Sequence, residues 1–168
     1  MTIKRYLLVA AFILLAYCNA LAGGVGTWKN YLAYSDVQWV EEGSNKLYVL
    51  ASNSLYTYNK NDQSIKTYDK VNGLSDTDIR FIAWNKTARR LVILYSNNNI
   101  DLLDDRGNVT NVPDYYLKTT MADKTVNGID MSGAYCYLST GFGLVKLNVA
   151  KAEISDSYNL SFPVNYSY

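Results

Sequence analysis

Three carboxylate pairs, Glu41-Glu42, Asp76 with Asp78 and Asp104-Asp105, are the side chains whose type and spacing could do chemistry. Two carboxyl groups held roughly 5 Å or 6.5–9.5 Å apart can cleave a glycosidic bond, one protonating the leaving oxygen while the other attacks or activates water. All three pairs fall among turn-forming residues, so the expectation is solvated loop charge and no catalytic residue. The 168 residues contain no histidine, which removes the usual base of an acyl-transfer triad and the usual nitrogen ligand of zinc. Cys136, between Tyr135 and Tyr137, has no imidazole to activate it and reads as a buried, inert thiol. Asp104-Asp105-Arg106-Gly107-Asn108 lacks the acidic spacing and closing glutamate of a calcium loop and reads as a hairpin turn. There is no phosphate-cradling Gly-x-x-x-x-Gly-Lys run and no dinucleotide fingerprint. Neither metal nor cofactor is expected.

Tyrosine is the other suggestive residue. Tyr48, Tyr56, Tyr58 and Tyr68 lie in strand-like runs, where a ring packs while its hydroxyl reaches water. Tyr115-Tyr116, after Pro113 in a longer connection, is the candidate ligand platform, an aromatic face against which a sugar ring could stack.

The elements that position these residues repeat. Leu47-Tyr48-Val49-Leu50, Leu91-Val92-Ile93-Leu94 and Tyr135-Cys136-Tyr137-Leu138 follow one another at steps of 44 residues. A second set starts at Leu55, Ile100 and Leu144, a third at Ile65, Val109 and Ile154, each with one step of 44 and one of 45. Spaced aliphatics precede each trio: Val37 and Val40, Ile79 and Ile82, Val126 and Ile129. Four strand-like runs per unit at a period of about 40–50 residues is the pattern of a β-propeller blade. Leu91-Val92-Ile93-Leu94-Tyr95 is apolar at every position, as expected of a strand covered on both faces. Arg89-Arg90 with Lys86 is the one basic knot, at a hairpin, and reads as a solvated turn.

The first 22 residues read as a signal peptide. Lys4-Arg5 precedes a 12-residue apolar stretch, Tyr6 to Tyr17, and Ala20-Leu21-Ala22 sets cleavage between Ala22 and Gly23. A lipoprotein reading through Cys18 conflicts with the bulky Tyr17 beside it. Export through the Sec pathway is expected, with no transmembrane segment in the mature chain, since a span needs about 20 apolar residues. The mature chain carries 14 Lys+Arg against 15 Asp+Glu, which leaves no electrostatic footprint for nucleic acid. Its 146 residues hold about 3.3 units, fewer than the roughly four to eight blades of a closed propeller. The expectation is an all-β, partial propeller over residues 23–168, with four-stranded antiparallel blades at 35–74, 75–120 and 121–160. Residues 161–168 would open a further strand, and the chain reads as a piece of a longer protein.

Asn72-Gly73-Leu74-Ser75-Asp76, followed by Ile79 and Ile82, resembles the blade opening of two-component-regulator propellers, and Cys136-Tyr137-Leu138-Ser139-Thr140-Gly141-Phe142-Gly143-Leu144 resembles the later strand and Gly-Thr…Gly turn of their blades. Units one and two carry Asn and Ser at that turn: Ala51-Ser52-Asn53-Ser54-Leu55 and Ser96-Asn97-Asn98-Asn99-Ile100. Gly26-Thr27-Trp28-Lys29-Asn30-Tyr31-Leu32-Ala33-Tyr34-Ser35-Asp36, directly after the signal segment, resembles the start of the first propeller of PorZ proteins. Tyr68, Gly73-Leu74-Ser75-Asp76 and Gly141-Phe142-Gly143-Leu144 fit that pattern too. The resemblance implies a non-enzymatic surface component of the Bacteroidetes type IX secretion system, in the periplasm or at the outer-membrane cell surface. It implies two propellers and a C-terminal sorting sandwich, of which this chain holds part of the first propeller. Implied partners are PorU-, PorV- and PorQ-like proteins of the attachment complex and anionic lipopolysaccharide. The alternative is the periplasmic glycan-sensing propeller of a hybrid two-component regulator. A third reading is a carbohydrate-active enzyme.

Overall fold

A computed structural model describes residues 34–119 and 123–159; residues 1–22, the Ala22–Gly23 junction and residues 161–168 lie outside the described residues. Among the described residues, twelve strands form three four-stranded antiparallel sheets, each in the order of the chain. Blade one holds β1 (Val37–Glu42), β2 (Lys46–Ala51), β3 (Ser54–Asn59) and β4 (Ile65–Tyr68). Blade two holds β5 (Ile79–Asn85), β6 (Arg90–Tyr95), β7 (Ile100–Asp104) and β8 (Val109–Val112). Blade three holds β9 (Val126–Ser132), β10 (Tyr135–Thr140), β11 (Gly143–Asn148) and β12 (Glu153–Asn159). A single turn of helix, α1 (Asp114–Leu117), lies in the connection before blade three. The first strands β1, β5 and β9 pack side by side as the inner edges of successive blades. This is the partial β-propeller that the period implies.

Local chemistry sets the hairpins. Ser52 and Asn53 take φ of 48° and 58° between the paired Ala51 and Ser54, the left-handed pair that a tight two-residue hairpin needs. The Asp104 side chain accepts the backbone N–H groups of Arg106 (2.9 Å) and Asn108 (2.8 Å), while Gly107 sits at φ 91°. The loop is a self-satisfied turn, as its Asx and Gly content predicts.

The uninterrupted apolar run of β6 is buried on both faces. Leu91, Ile93 and Tyr95 join one core with Tyr48, Leu50 and Leu55 of blade one. Val92 and Leu94 join a second core with Cys136, Leu138 and Val145 of blade three. Successive side chains of a strand point to opposite faces, so only a sheet with neighbours on both sides accommodates five apolar residues in a row.

The structure corrects one register. Ala51↔Ser54 and Thr140↔Gly143 both close two-residue turns, which makes Leu50 equivalent to Ser139, not to Leu138. Leu94 and Leu138 therefore face each other's blades from opposite sides of one core. A step of 44 carries β2 onto β6, but 45 carries β6 onto β10. The repeat of apolar type hid a one-residue slip that exchanges the two faces.

Burial has a titration consequence. It pushes the Cys136 thiol up to about 12 from 9.0, helped by Asp130, and the Tyr115 phenol up to about 12 from 10.0, helped by Asp123. Tyr48 and Tyr95 shift the same way, chiefly by burial, with a hydrogen bond to Asp101 adding to the effect on Tyr95. Groups raised on folding keep their proton longer in the native state, so their contribution is complete below the unfolded values and is lost as pH rises. Urea midpoints are expected to hold steady up to about pH 9 and to fall continuously between pH 9 and 12.

Candidate functional site

The inner strands enclose an axial groove of about 400 Å³ whose walls include Trp39, Glu41, Ile82, Trp84, Asp130 and Met131. Glu41 lies within β1, not in a loop as its sequence neighbours suggest. Its Oε1 accepts the Trp39 indole N–H at 2.8 Å and its Oε2 accepts the Trp84 backbone N–H at 3.1 Å. The carboxylate thus fixes the indole of Trp39, which stays 54% exposed, and ties blade one to the inner edge of blade two. Trp84 in turn stacks on Tyr48 with centroids 5.2 Å apart and planes 20° apart.

The other carboxylates are also engaged separately. Glu42 points away from Glu41 and pairs with Lys60 Nζ at 2.7 Å, which holds its carboxyl below the usual range. Asp105 pairs with Arg89 at 2.6 Å, while Asp104 caps its own hairpin. Asp78 accepts the Asn53 amide at 2.6 Å, and Asp76 accepts the Thr77 N–H at 3.0 Å and the Asn97 amide. Among the described residues no three His, Cys, Asp or Glu side chains could jointly hold a metal ion.

The basic knot is more than a solvated turn. Arg90 donates to the Val149 carbonyl at 3.2 Å, and the equivalent Lys46 donates to the Asp105 carbonyl at 2.8 Å. In each case a cation at the start of a blade's second strand reaches the outer turn of the next blade. The spacing of 44 between Lys46 and Arg90 was a signal for this, since two cations in register invite one role.

Sequence reading passed over Asp101, which is fully buried. Its Oδ2 accepts the Tyr95 hydroxyl at 2.6 Å and the Ser75 N–H at 2.7 Å, and its Oδ1 accepts the Asn111 amide at 2.9 Å. An aspartate inside the run Ile100-Asp101-Leu102-Leu103 was the available signal, because a charge in a covered strand requires donors.

Tyr115 and Tyr116 part company on α1. Tyr115 is 2% exposed and donates its hydroxyl to the Lys124 carbonyl at 2.6 Å, whereas Tyr116 is 48% exposed. Lys124 Nζ lies 5.1 Å from the Tyr115 ring centroid and donates to the carbonyls of Tyr116 (3.0 Å) and Lys118 (2.9 Å). Beside them an apolar pocket of about 140 Å³ is lined by Tyr115, Lys118, Phe142, Val145 and Ile154, among others. The rim therefore combines one exposed ring, one small apolar pocket and two lysines.

The family model of the type IX secretion system PorZ N-terminal β-propeller domain matches residues 47–168. The chain belongs to the PorZ N-terminal β-propeller family. PorZ of Porphyromonas gingivalis, an essential bacterial surface component of the type IX secretion system, superposes with a TM-score of 0.73 at 38% identity. That match covers 79% of this chain and 18% of the PorZ chain, so the sequence spans under a fifth of its relative. The extracellular domain of the BT4673 one-component system of B. thetaiotaomicron matches with a TM-score of 0.58 at 16% identity, covering 80% of this chain and 18% of that one. AztD of Citrobacter koseri matches with a TM-score of 0.58 at 15% identity, over 76% and 34%. These last two likenesses show the fold alone. Comparison with curated proteins returned no match. No described helix is long and apolar enough to cross a membrane. In this PorZ-type domain the Gly73-Leu74-Ser75-Asp76 motif has a clear physical role. Gly73 turns at φ 109°, Leu74 plugs the core at 4% exposure, and the Ser75 N–H is anchored on Asp101.

Proposed function

We propose that this PorZ-type propeller is a non-enzymatic binding module, exported after cleavage between Ala22 and Gly23, that serves PorU-, PorV- and PorQ-like proteins of the attachment complex and anionic lipopolysaccharide. The observation that carries this reading is the family membership, with 38% identity to a surface component of the type IX secretion system. Two features of the site support it. The carboxylate pairs that could hydrolyse a glycan are split among separate hydrogen bonds and ion pairs. Charge then separates the two candidate surfaces. Among the described residues, the lining of the axial groove holds Glu41 and Asp130 and no basic side chain, which disfavours an anionic ligand. The rim at α1 presents the exposed Tyr116 ring beside a pocket lined by both Lys118 and Asp114, with Lys124 Nζ on the Tyr116 and Lys118 carbonyls, and supplies the cations that the groove lining lacks, so it is the better seat for an anionic sugar.

The double variant Tyr116→Ala, Lys118→Gln is expected to weaken retention on immobilised anionic lipopolysaccharide by roughly tenfold, two contacts of about 0.5–1 kcal/mol each. The Trp39→Ala variant should bind as the parent does. Equal retention of parent and double variant would refute the rim assignment. Release of sugars from glycans by the purified chain would refute the non-enzymatic reading.

A further inference from the structure

We infer that the axial groove receives an arginine side chain of a partner polypeptide. Backbone register is the starting point. Each inner strand carries one extra residue against its neighbour. Val37 and Trp39 face Ala51 and Leu50, Ile79 and Phe81 face Tyr95 and Leu94, and Val126 and Gly128 face Thr140 and Ser139. A bulge of this kind re-aims the side chains beside it, and here it recurs at one place in all three blades. In β1 the extra residue, Gln38, donates to the Asn53 side chain at 2.9 Å. The bulges make Trp39, Phe81 and Gly128 equivalent, and two residues further on Glu41, Ala83 and Asp130. All six line the groove.

Residues two apart share one face of a strand, about 7 Å from each other along it. The groove therefore has an aromatic level, Trp39 and Phe81, and a carboxylate level, Glu41 and Asp130. Gly128 and Ala83 take the third place of each level with almost no side chain, which leaves room for an occupant. Glu41 holds the Trp39 indole by its N–H edge, so the half-exposed ring keeps its face for contact. Each Glu41 oxygen accepts one hydrogen bond and has a lone pair for a second. Asp130 is exposed, and neither carboxylate is ion-paired among the described residues. Arg80, the extra residue of β5, stands 5.4 Å from the Phe81 ring centroid and is not part of the lining.

Rings one step along from unpaired carboxylates call for a cation. A guanidinium satisfies both levels, because it is planar and weakly hydrated, stacks on aromatic faces and meets a carboxylate with a fork of donors. An ammonium is a strongly hydrated point charge and gains less from the rings. The arginine belongs to a polypeptide because its flanking groups are then neutral amides. Free arginine would bring its own carboxylate towards Glu41 and Asp130. The site is separate from the rim at α1, and it rests on the binding-module reading only for the existence of a partner.

The probe is the peptide acetyl-Gly-Arg-Gly-amide, and its reference carries citrulline, a neutral isostere, in place of arginine. Affinities are read from the amide resonances of β5, with the Trp39 indole N–H resonance marking the site. The arginine peptide should shift these resonances saturably, and its affinity should fall as salt rises. The citrulline peptide should bind about tenfold more weakly or worse. Trp39→Ala and Asp130→Asn should each weaken arginine binding about threefold to tenfold. Asp130→Asn keeps the test decisive if loss of the indole unsettles β1, because Asp130 is exposed. No shift, equal binding of the two peptides, or unchanged arginine binding in both variants would overturn the inference. A lysine peptide or free arginine that binds as tightly would overturn it too. A chain that still holds lipopolysaccharide but gives one of these results overturns this inference and leaves the binding-module reading standing.

Discussion

Asp101→Ala is expected to destabilise the propeller by about 3–5 kcal/mol, a large part of the roughly 5–15 kcal/mol that holds a domain together. The carboxylate is fully buried and is the acceptor for Tyr95, Ser75 and Asn111. Truncation would leave the buried Tyr95 hydroxyl and the part-buried Ser75 N–H without their acceptor, at about 1–3 kcal/mol each with Ser75 at the low end, and would empty the volume of a buried side chain. The Asn111 amide keeps its bonds to Asn99 and to the Ile100 carbonyl, both 3.0 Å, so it adds little. Asp101→Asn preserves shape but turns a donor towards one set of donors, and an intermediate loss follows. Tyr95→Phe in the Asp101→Ala background should recover part of the loss, because it removes one orphaned hydroxyl. Urea unfolding of the four proteins measures this directly. A loss below about 1 kcal/mol for Asp101→Ala would mean that the Ser75 connection is not anchored there.

Leu138→Ala is expected to cost about 2–5 kcal/mol, the range for deleting a buried leucine side chain. Leu138 is 0% exposed in the core that also holds Leu94, Val145 and Leu147. Tyr137→Ala, one residue away on the open face, should cost about 1 kcal/mol or less. The ratio of the two tests the register. With a uniform step of 44, Leu138 would sit on the face that turns away from blade two, and the costs would be reversed. Stability is read by chemical denaturation, with far-ultraviolet dichroism confirming that both variants keep the sheet content of the parent.

The architecture was legible because a propeller repeats its hydrophobic pattern and because β6 is apolar without alternation. Both are direct consequences of blades covered on two faces. The register of the third blade was not legible. Leu138 matches Leu94 in type, and nothing local marks the extra residue that turns β10 over. The site was legible only in part. Tyr115 and Tyr116 are adjacent letters, but on one turn of helix adjacent side chains diverge, so one joins the core and the other faces solvent. Glu41 reads as solvated loop charge beside Glu42, whereas its side chain serves a neighbouring blade 43 residues away. Asp101 was hidden in an apolar run whose other members are ordinary core. Long-range acceptors of this kind have donors that no window of sequence contains.

Cysteine scanning of β6 and β10 tests the radial stacking of blades most directly. In a Cys136→Ala background, single cysteines are placed at positions 91 to 95 and 137 to 139, and thiol labelling rates are measured under native conditions. Stacked blades predict that all five positions of β6 are protected, since the middle blade is covered on both faces. They predict alternation in β10, with position 138 protected and positions 137 and 139 labelled. Alternating protection along β6, the signature of a sheet wet on one face, would contradict the propeller arrangement.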